Sequence, residues 1–129
     1  MLITIDAESD VPLFGQVADS VRADAAAGRI RAGDRLPSAR DVAGALDINV
    51  HTVLRAYQQL RDEGLIELRR GRGAVATPAV GALSGLHAEI VALVGRAAEL
   101  GLSPDSLAAL VRETARVGDA ARSDERKTP

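Results

Sequence analysis

Six polar side chains of one stretch, Asn49, His51, Thr52, Arg55, Gln58 and Gln59, recur at a spacing that puts them on or beside one face of a helix. The opposite face carries Val53, Ala56, Tyr57 and Leu60. All six can donate or accept hydrogen bonds and none is acidic. Carboxylates first appear at Asp62 and Glu63, in the last turn. A helix that enters a major groove by its N-terminal half needs this pattern: a positive dipole end, no carboxylate near phosphate, and donors aimed at base edges. An ordinary solvated helix would also show a polar face, so the surroundings must decide. A second group follows at once. Arg69, Arg70 and Arg72 surround Gly71 and Gly73, which permit positive φ, in a basic turn between two short apolar runs. An arginine-tipped hairpin suits contact with a sugar-phosphate backbone or a minor groove. Alternatively, it is a turn that uses Arg to blunt a sheet edge.

Other chemistry has little support. The chain has no Cys, which excludes a disulfide scaffold, a thiolate metal site and a Cys nucleophile. His51 and His87 are far apart in sequence, with no ligand partners at metal spacing. No glycine-rich phosphate loop precedes a helix, and the carboxylates are scattered. Neither an enzyme nor a metal or cofactor site is expected. Apolar runs fall short of the roughly 20 residues a membrane span needs. The N-terminal residues are acidic rather than basic, so no signal peptide is expected. These readings place the chain in the cytoplasm, away from membranes.

The elements that would position the polar residues can be read in order. Leu2–Ile5 reads as a short strand. Helix 1 is expected from about Val11–Pro12 to Gly28, with Asp10 as N-cap and Phe14, Val17, Ala18, Val21 and Ala25 buried. Gly33-Asp34 makes a turn. Leu36-Pro37-Ser38 signals the start of helix 2, about Ala39–Leu46, capped by Ser38, with Asp41 completing a short capping box. Asp47 ends it, tolerating a left-handed conformation. Asn49 caps helix 3, about Val50–Glu63, and Gly64 stops it. Leu65–Arg69 and Ala74–Thr77 are the strands of the hairpin. This order is that of a winged helix-turn-helix.

Charge follows the same division. Residues 1–28 carry one Arg against five acids; residues 29–78 carry nine Arg against six acids; the rest carry six bases against seven acids. The one positive segment is the helix-turn-helix and its wing, within a chain of net charge −2.

After the wing, residues 78–82 read as a linker. Helix 4 is expected over about Ser84–Leu100, where Leu86, Ile90, Leu93, Ala97 and Leu100 form a heptad seam. Ser103-Pro104 opens helix 5, with Leu107, Leu110 and Val111 on one side. Such a hairpin cannot bury both stripes alone, and a second copy would cover them. Folding back onto the N-terminal domain is the alternative. The expected domains are therefore 1–77, a winged helix-turn-helix, and 83–117, a two-helix dimerisation hairpin, with 118–129 a disordered tail. The class is mainly α with a small β-hairpin wing.

Pro12-Leu13-Phe14-x-Gln16-Val17-x-Asp19, Gly33-Asp34-Arg35-Leu36-Pro37-Ser38-x-Arg40-x-Val42-Ala43, Thr52-Val53-x-x-Ala56-Tyr57-x-x-Leu60, Glu63-Gly64-Leu65-Ile66 and Arg70-Gly71-x-Gly73 together resemble the GntR family of bacterial transcription regulators. The short segment after the wing resembles the family's YtrA-type subfamily, whose two-helix tail makes a dimer. The resemblance implies that Arg40 and the first turn of helix 3 touch an operator and that Gly71–Gly73 meets the minor groove. Three positions depart from the family pattern. Val50 and Leu54 stand where Arg is frequent, and Asp47 where Gly is usual. His51, Thr52 and Arg55 are then the preferred base readers. The expected DNA-contact set is Arg35, Ser38, Arg40, Asn49, His51, Thr52, Arg55, Gln58, Arg70, Gly71, Arg72 and Gly73. The function expected is a homodimeric repressor on a near-palindromic double-stranded operator. The rivals are a winged helix that binds protein and not DNA, and a regulator whose unknown small-molecule effector binds between the dimer tails.

Overall fold

The computed structural model describes the backbone of residues 2–127 and the side chains of residues 2–124. The elements are α1 (Leu13–Ala26), α2 (Ala39–Leu46), α3 (Val50–Asp62), β1 (Ile66–Arg69), β2 (Gly73–Ala76), α4 (Ala79–Glu99) and α5 (Pro104–Lys127). They form two compact units, residues 1–87 and 88–129, with the boundary inside α4.

In the first unit an aliphatic core sits where the three N-terminal helices meet the wing. Val17, Val21, Val53, Leu60 and Ile66 are fully buried, with Val42 and Ala43 of α2 and Tyr57 of α3 around them. Ala18, Ala43 and Ala56 add small buried side chains to this core. Ser38 caps α2, its Oγ accepting from the Asp41 amide at 3.0 Å, while the Asp41 carboxylate makes no return bond. Asn49 caps α3 in the same way, accepting from the His51 amide at 2.8 Å. Between the two helices Asp47 has φ 55°, the left-handed conformation that tightens the turn. A Cβ there costs about 1–2 kcal/mol, partly offset because glycine loosens the unfolded chain. Asp47→Gly is therefore expected to stabilise the protein by about 0.5–1 kcal/mol, read as a higher denaturation midpoint. A lower midpoint would show that the carboxylate supports the turn.

β1 and β2 pair antiparallel, Ile66 opposite Ala76 and Arg69 opposite Gly73. The loop is Arg70-Gly71-Arg72, and both Gly71 (φ 80°) and Gly73 (φ 73°) use the left-handed region. The sequence did not reveal a third partner. Arg35 bridges Val75, and the Leu36 amide donates to the Ala74 carbonyl at 2.9 Å, so the segment before α2 lies along β2. The wing is thereby fastened to the start of the helix-turn-helix.

Several expectations are corrected. Leu2–Ile5 is not a strand, because no strand lies beside it. It is held by side chains instead: Ile3 is buried, and the Thr4 amide donates to Ser20 Oγ. Gln16 Oε1 accepts from the Asp6 amide, while its Nε2 donates to the Asp6 and Val11 carbonyls. Asp10 does not cap α1; Pro12 occupies that position, with no side-chain bond. Phe14 is only partly buried. Residues 78–82 are not a linker. The helix begins at Ala79, because Val80 fits into the N-terminal core at 1% exposure and Leu83 packs on it.

The second unit contains the later part of α4, the Gly101 turn and α5. Ser103 caps α5, accepting from the Ser106 amide at 3.1 Å. The expected disordered tail is helical as far as Lys127. Good helix formers and the pairs Glu113–Arg116 and Asp119–Arg122, each three residues apart, carry it onward. Residues 128–129 of that expected tail lie outside the described residues. By length and composition α4 also corrects the reading of apolar runs: its 21 residues include a stretch of mean hydropathy 1.2, enough for a bilayer span. Its first turn is nonetheless committed to the protein core through Val80.

Candidate nucleic-acid interface

The candidate surface starts with how α3 is held. Two contacts tie it to α1. The Arg55 guanidinium lies over the Phe14 ring, 3.8 Å from its centroid. Arg22 forks onto Glu63, Nε to Oε1 at 2.9 Å and Nη2 to Oε2 at 2.6 Å, and also bonds Asp19 at 2.7 Å. The Glu63 carboxylate raises the already high pKa of Arg22, chiefly through this hydrogen bond. Both pairs are separated by 41 residues, so α1 and α3 run in the same direction and are joined at two points. A third tie comes from Tyr57, whose hydroxyl donates to the Pro37 carbonyl at 2.6 Å. Burial pushes this phenol above its ordinary range, so it stays a neutral donor. It fixes α3 to the start of α2.

With its buried face so fixed, α3 presents Asn49, His51, Arg55 and Gln58 to solvent, with Thr52 half-buried beside them. Leu13, Phe14, Asn49, His51, Thr52 and Arg55 line one shallow groove. Val50 packs on the core, whereas Leu54 is 40% exposed and offers an apolar contact on the same helix.

The arginines sort into two sets. Arg22 and Arg29 are ion-paired within the fold, the latter to buried Asp24 at 2.8 Å. Arg61 pairs with Asp62, and Arg69 is held by Glu67 at 2.8 Å. The side chains of Arg31, Arg35, Arg40, Arg70 and Arg72, and of Arg96 and Arg112 in the C-terminal helices, are exposed and have no ionic or hydrogen-bond partner among the described residues. Arg35 lies on the segment beside β2, Arg40 in the first turn of α2, and Arg70 and Arg72 at the wing tip. Positive charge without a partner is thus offered from the turn-helix and the wing, while the pairing of Arg69 removes it from the set the wing sequence suggests.

The residues expected to dimerise are mostly exposed in the single chain. Leu86, Ile90, Leu93, Leu100, Leu110 and Val111 are 46–71% exposed. Leu107 is half-buried. Ala97 departs from the expectation: it is buried in its own chain at 6%, where the Leu102 amide folds back to its carbonyl at 2.9 Å.

Sequence reasoning missed Phe14 as the seat of Arg55, and Gln16 as the clasp of the N-terminal segment. Phe14 read simply as core, because helical spacing cannot show which face of a ring is left open.

A helix-turn-helix with an arginine-tipped hairpin fastened to its first segment defines a winged helix-turn-helix domain. Residues 13–75 match the family model described as bacterial regulatory proteins, gntR family. The HTH-type transcriptional repressor YtrA of Bacillus subtilis is 39% identical over 72 residues, which is 56% of this chain and 55% of that protein. The chain thus spans about half the length of that relative. The solved structure of YtrA from Sulfolobus acidocaldarius, a GntR-family transcription factor, is 34% identical with a TM-score of 0.58, covering 77% of this chain and 99% of that one. The DNA-binding domain of AraR, solved in complex with operator ORE1, shares the fold at 19% identity and TM-score 0.51, over 60% of this chain and 94% of that one. The chain belongs to the GntR family of bacterial transcription regulators, a family of regulators and not of enzymes.

Proposed function

We propose that the protein is a cytoplasmic, homodimeric repressor that binds a near-palindromic operator, with one winged helix per half-site. The observation that carries this reading is the charge sorting. The arginines of the turn-helix and wing tip are free, while the first turns of α3 offer donors and no acid. A protein-binding winged helix would need neither feature. The name of the Bacillus relative, a repressor, and the operator bound to AraR support the same direction. In this mechanism α3 lies in the major groove and the wing reaches the adjoining backbone and minor groove. The bound dimer covers a promoter. The apolar stripes of α4 and α5 supply the two-fold contact, since exposed aliphatic faces of this extent mark association surfaces.

Selection of duplexes from a random pool, followed by mobility shifts, tests this. The expected result is an inverted repeat with half-site centres about one helical turn apart. Recovery of no preferred sequence would remove the proposal. Within the selected site, Arg55→Ala is expected to relax base preference by about 1–3 kcal/mol at one position. Unchanged preference would exclude Arg55 as a reader.

A further inference from the structure

Phe14 is the only phenylalanine of the chain, and it stands in the first turn of α1. It is partly buried, packed against the core, and the Arg55 guanidinium covers its ring at 3.8 Å. An exposed arginine ordinarily samples many rotamers. Stacking on a ring selects among them at little cost to bonding, because the donors lie at the rim of the guanidinium plane. Those donors have no hydrogen-bond or ionic partner among the described residues. The other polar residues lining the groove, Asn49, His51 and Thr52, bring no carboxylate to capture them. The Asn49 side-chain Oδ1 is engaged by the His51 amide. A fixed fork of donors beside the N-terminus of a groove-binding helix matches the two acceptors, O6 and N7, that guanine presents in the major groove.

We propose that Phe14 is a positioning residue that holds the Arg55 guanidinium ready for a bidentate contact with one guanine in each half-site. The Phe14–Arg55 pair, contributed by two helices, then sets base preference at that position. This rests on the DNA-binding reading above. It deepens that reading by assigning a specificity role to a residue of α1, outside the helix-turn-helix.

The test uses the full chain. A duplex is selected by the wild-type protein, and dissociation constants are measured by fluorescence anisotropy on it and on every single base-pair variant. Arg55→Ala is expected to lose about ten- to a hundredfold of discrimination at one G·C pair per half-site. Phe14→Leu is expected to lose about two- to fivefold at the same pair, with the others unchanged. Phe14→Trp, which keeps a ring face, is expected to retain discrimination, and Phe14→Leu combined with Arg55→Ala to be no worse than Arg55→Ala. Thermal melts accompany each variant. Phe14→Leu that lowers the melting temperature yet leaves discrimination intact would make the contact a mere staple between helices and overturn the proposal. Equal weakening on every duplex by either variant would overturn it as well, assigning Arg55 to phosphate. If the wild-type protein selects no sequence at all, the DNA-binding reading itself fails, an outcome distinct from these.

Discussion

Ile90→Asp combined with Leu93→Asp is expected to halve the mass of the protein in light scattering and to weaken operator binding by about two to four orders of magnitude. Both side chains are nearly half exposed in the single chain, 46% and 48%. Placing carboxylates there costs the isolated fold little, as for most surface substitutions. Against a second copy the cost is large, because four new charges would be buried without partners. The affinity loss follows from geometry. A dimer binds its second half-site at the high effective concentration set by the first, and a monomer forfeits that gain of about 10²–10⁴. Circular dichroism should show helical content and cooperative melting close to wild type. A mass that stays unchanged would remove α4 from the dimer contact and leave its exposed stripe unexplained.

Salt provides the second large effect. Three unpartnered arginines, Arg40, Arg70 and Arg72, placed against phosphate in each protomer would make six contacts per dimer. Binding that releases this many counterions weakens by about 10³ or more between about 50 and 200 mM salt. Arg72→Ala removes two contacts per dimer, so the slope of log K against log salt should fall by about two, with similar losses on all sequences. Arg69→Ala is the informative companion. Arg69 is already neutralised by Glu67 at 2.8 Å, so its removal should change the slope much less than that of Arg72. Equal slopes for the two variants would mean that the Glu67 pair opens on the DNA.

The contrast between Arg69 and Arg72 also shows what a sequence can and cannot display. Both appear as wing arginines; only the register of the hairpin, which sets Glu67 near Arg69, tells them apart. Features governed by near neighbours were legible. The Ser38 and Asn49 caps, the left-handed Asp47, the limits of α2 and the glycines of the wing all depend on residues within a turn of one another. Features governed by distant partners were not. Gly81 and Pro78 make residues 78–82 look like a linker, but burial of Val80 outweighs that local signal and starts α4 early. Leu2–Ile5 has strand composition and finds no strand to pair with. The Arg35–Val75 bridge has no alternating pattern to announce it. In the candidate site the exposed polar face of α3 was named from spacing, whereas the support of Arg55 by Phe14 needed two helices brought side by side.

The parallel fastening of α3 to α1, by Phe14–Arg55 at mid-helix and Arg22–Glu63 at the C-terminal end, bears on the heat and entropy of recognition. Protein segments that fold as they bind lose chain freedom at that moment and give large negative heat-capacity changes. A helix already held at its middle by Phe14 and Pro37 and at its C-terminus by Arg22 has little freedom left to lose. Discrimination between operators would then arise from fit alone, with mismatches dissociating quickly rather than being accommodated by local refolding.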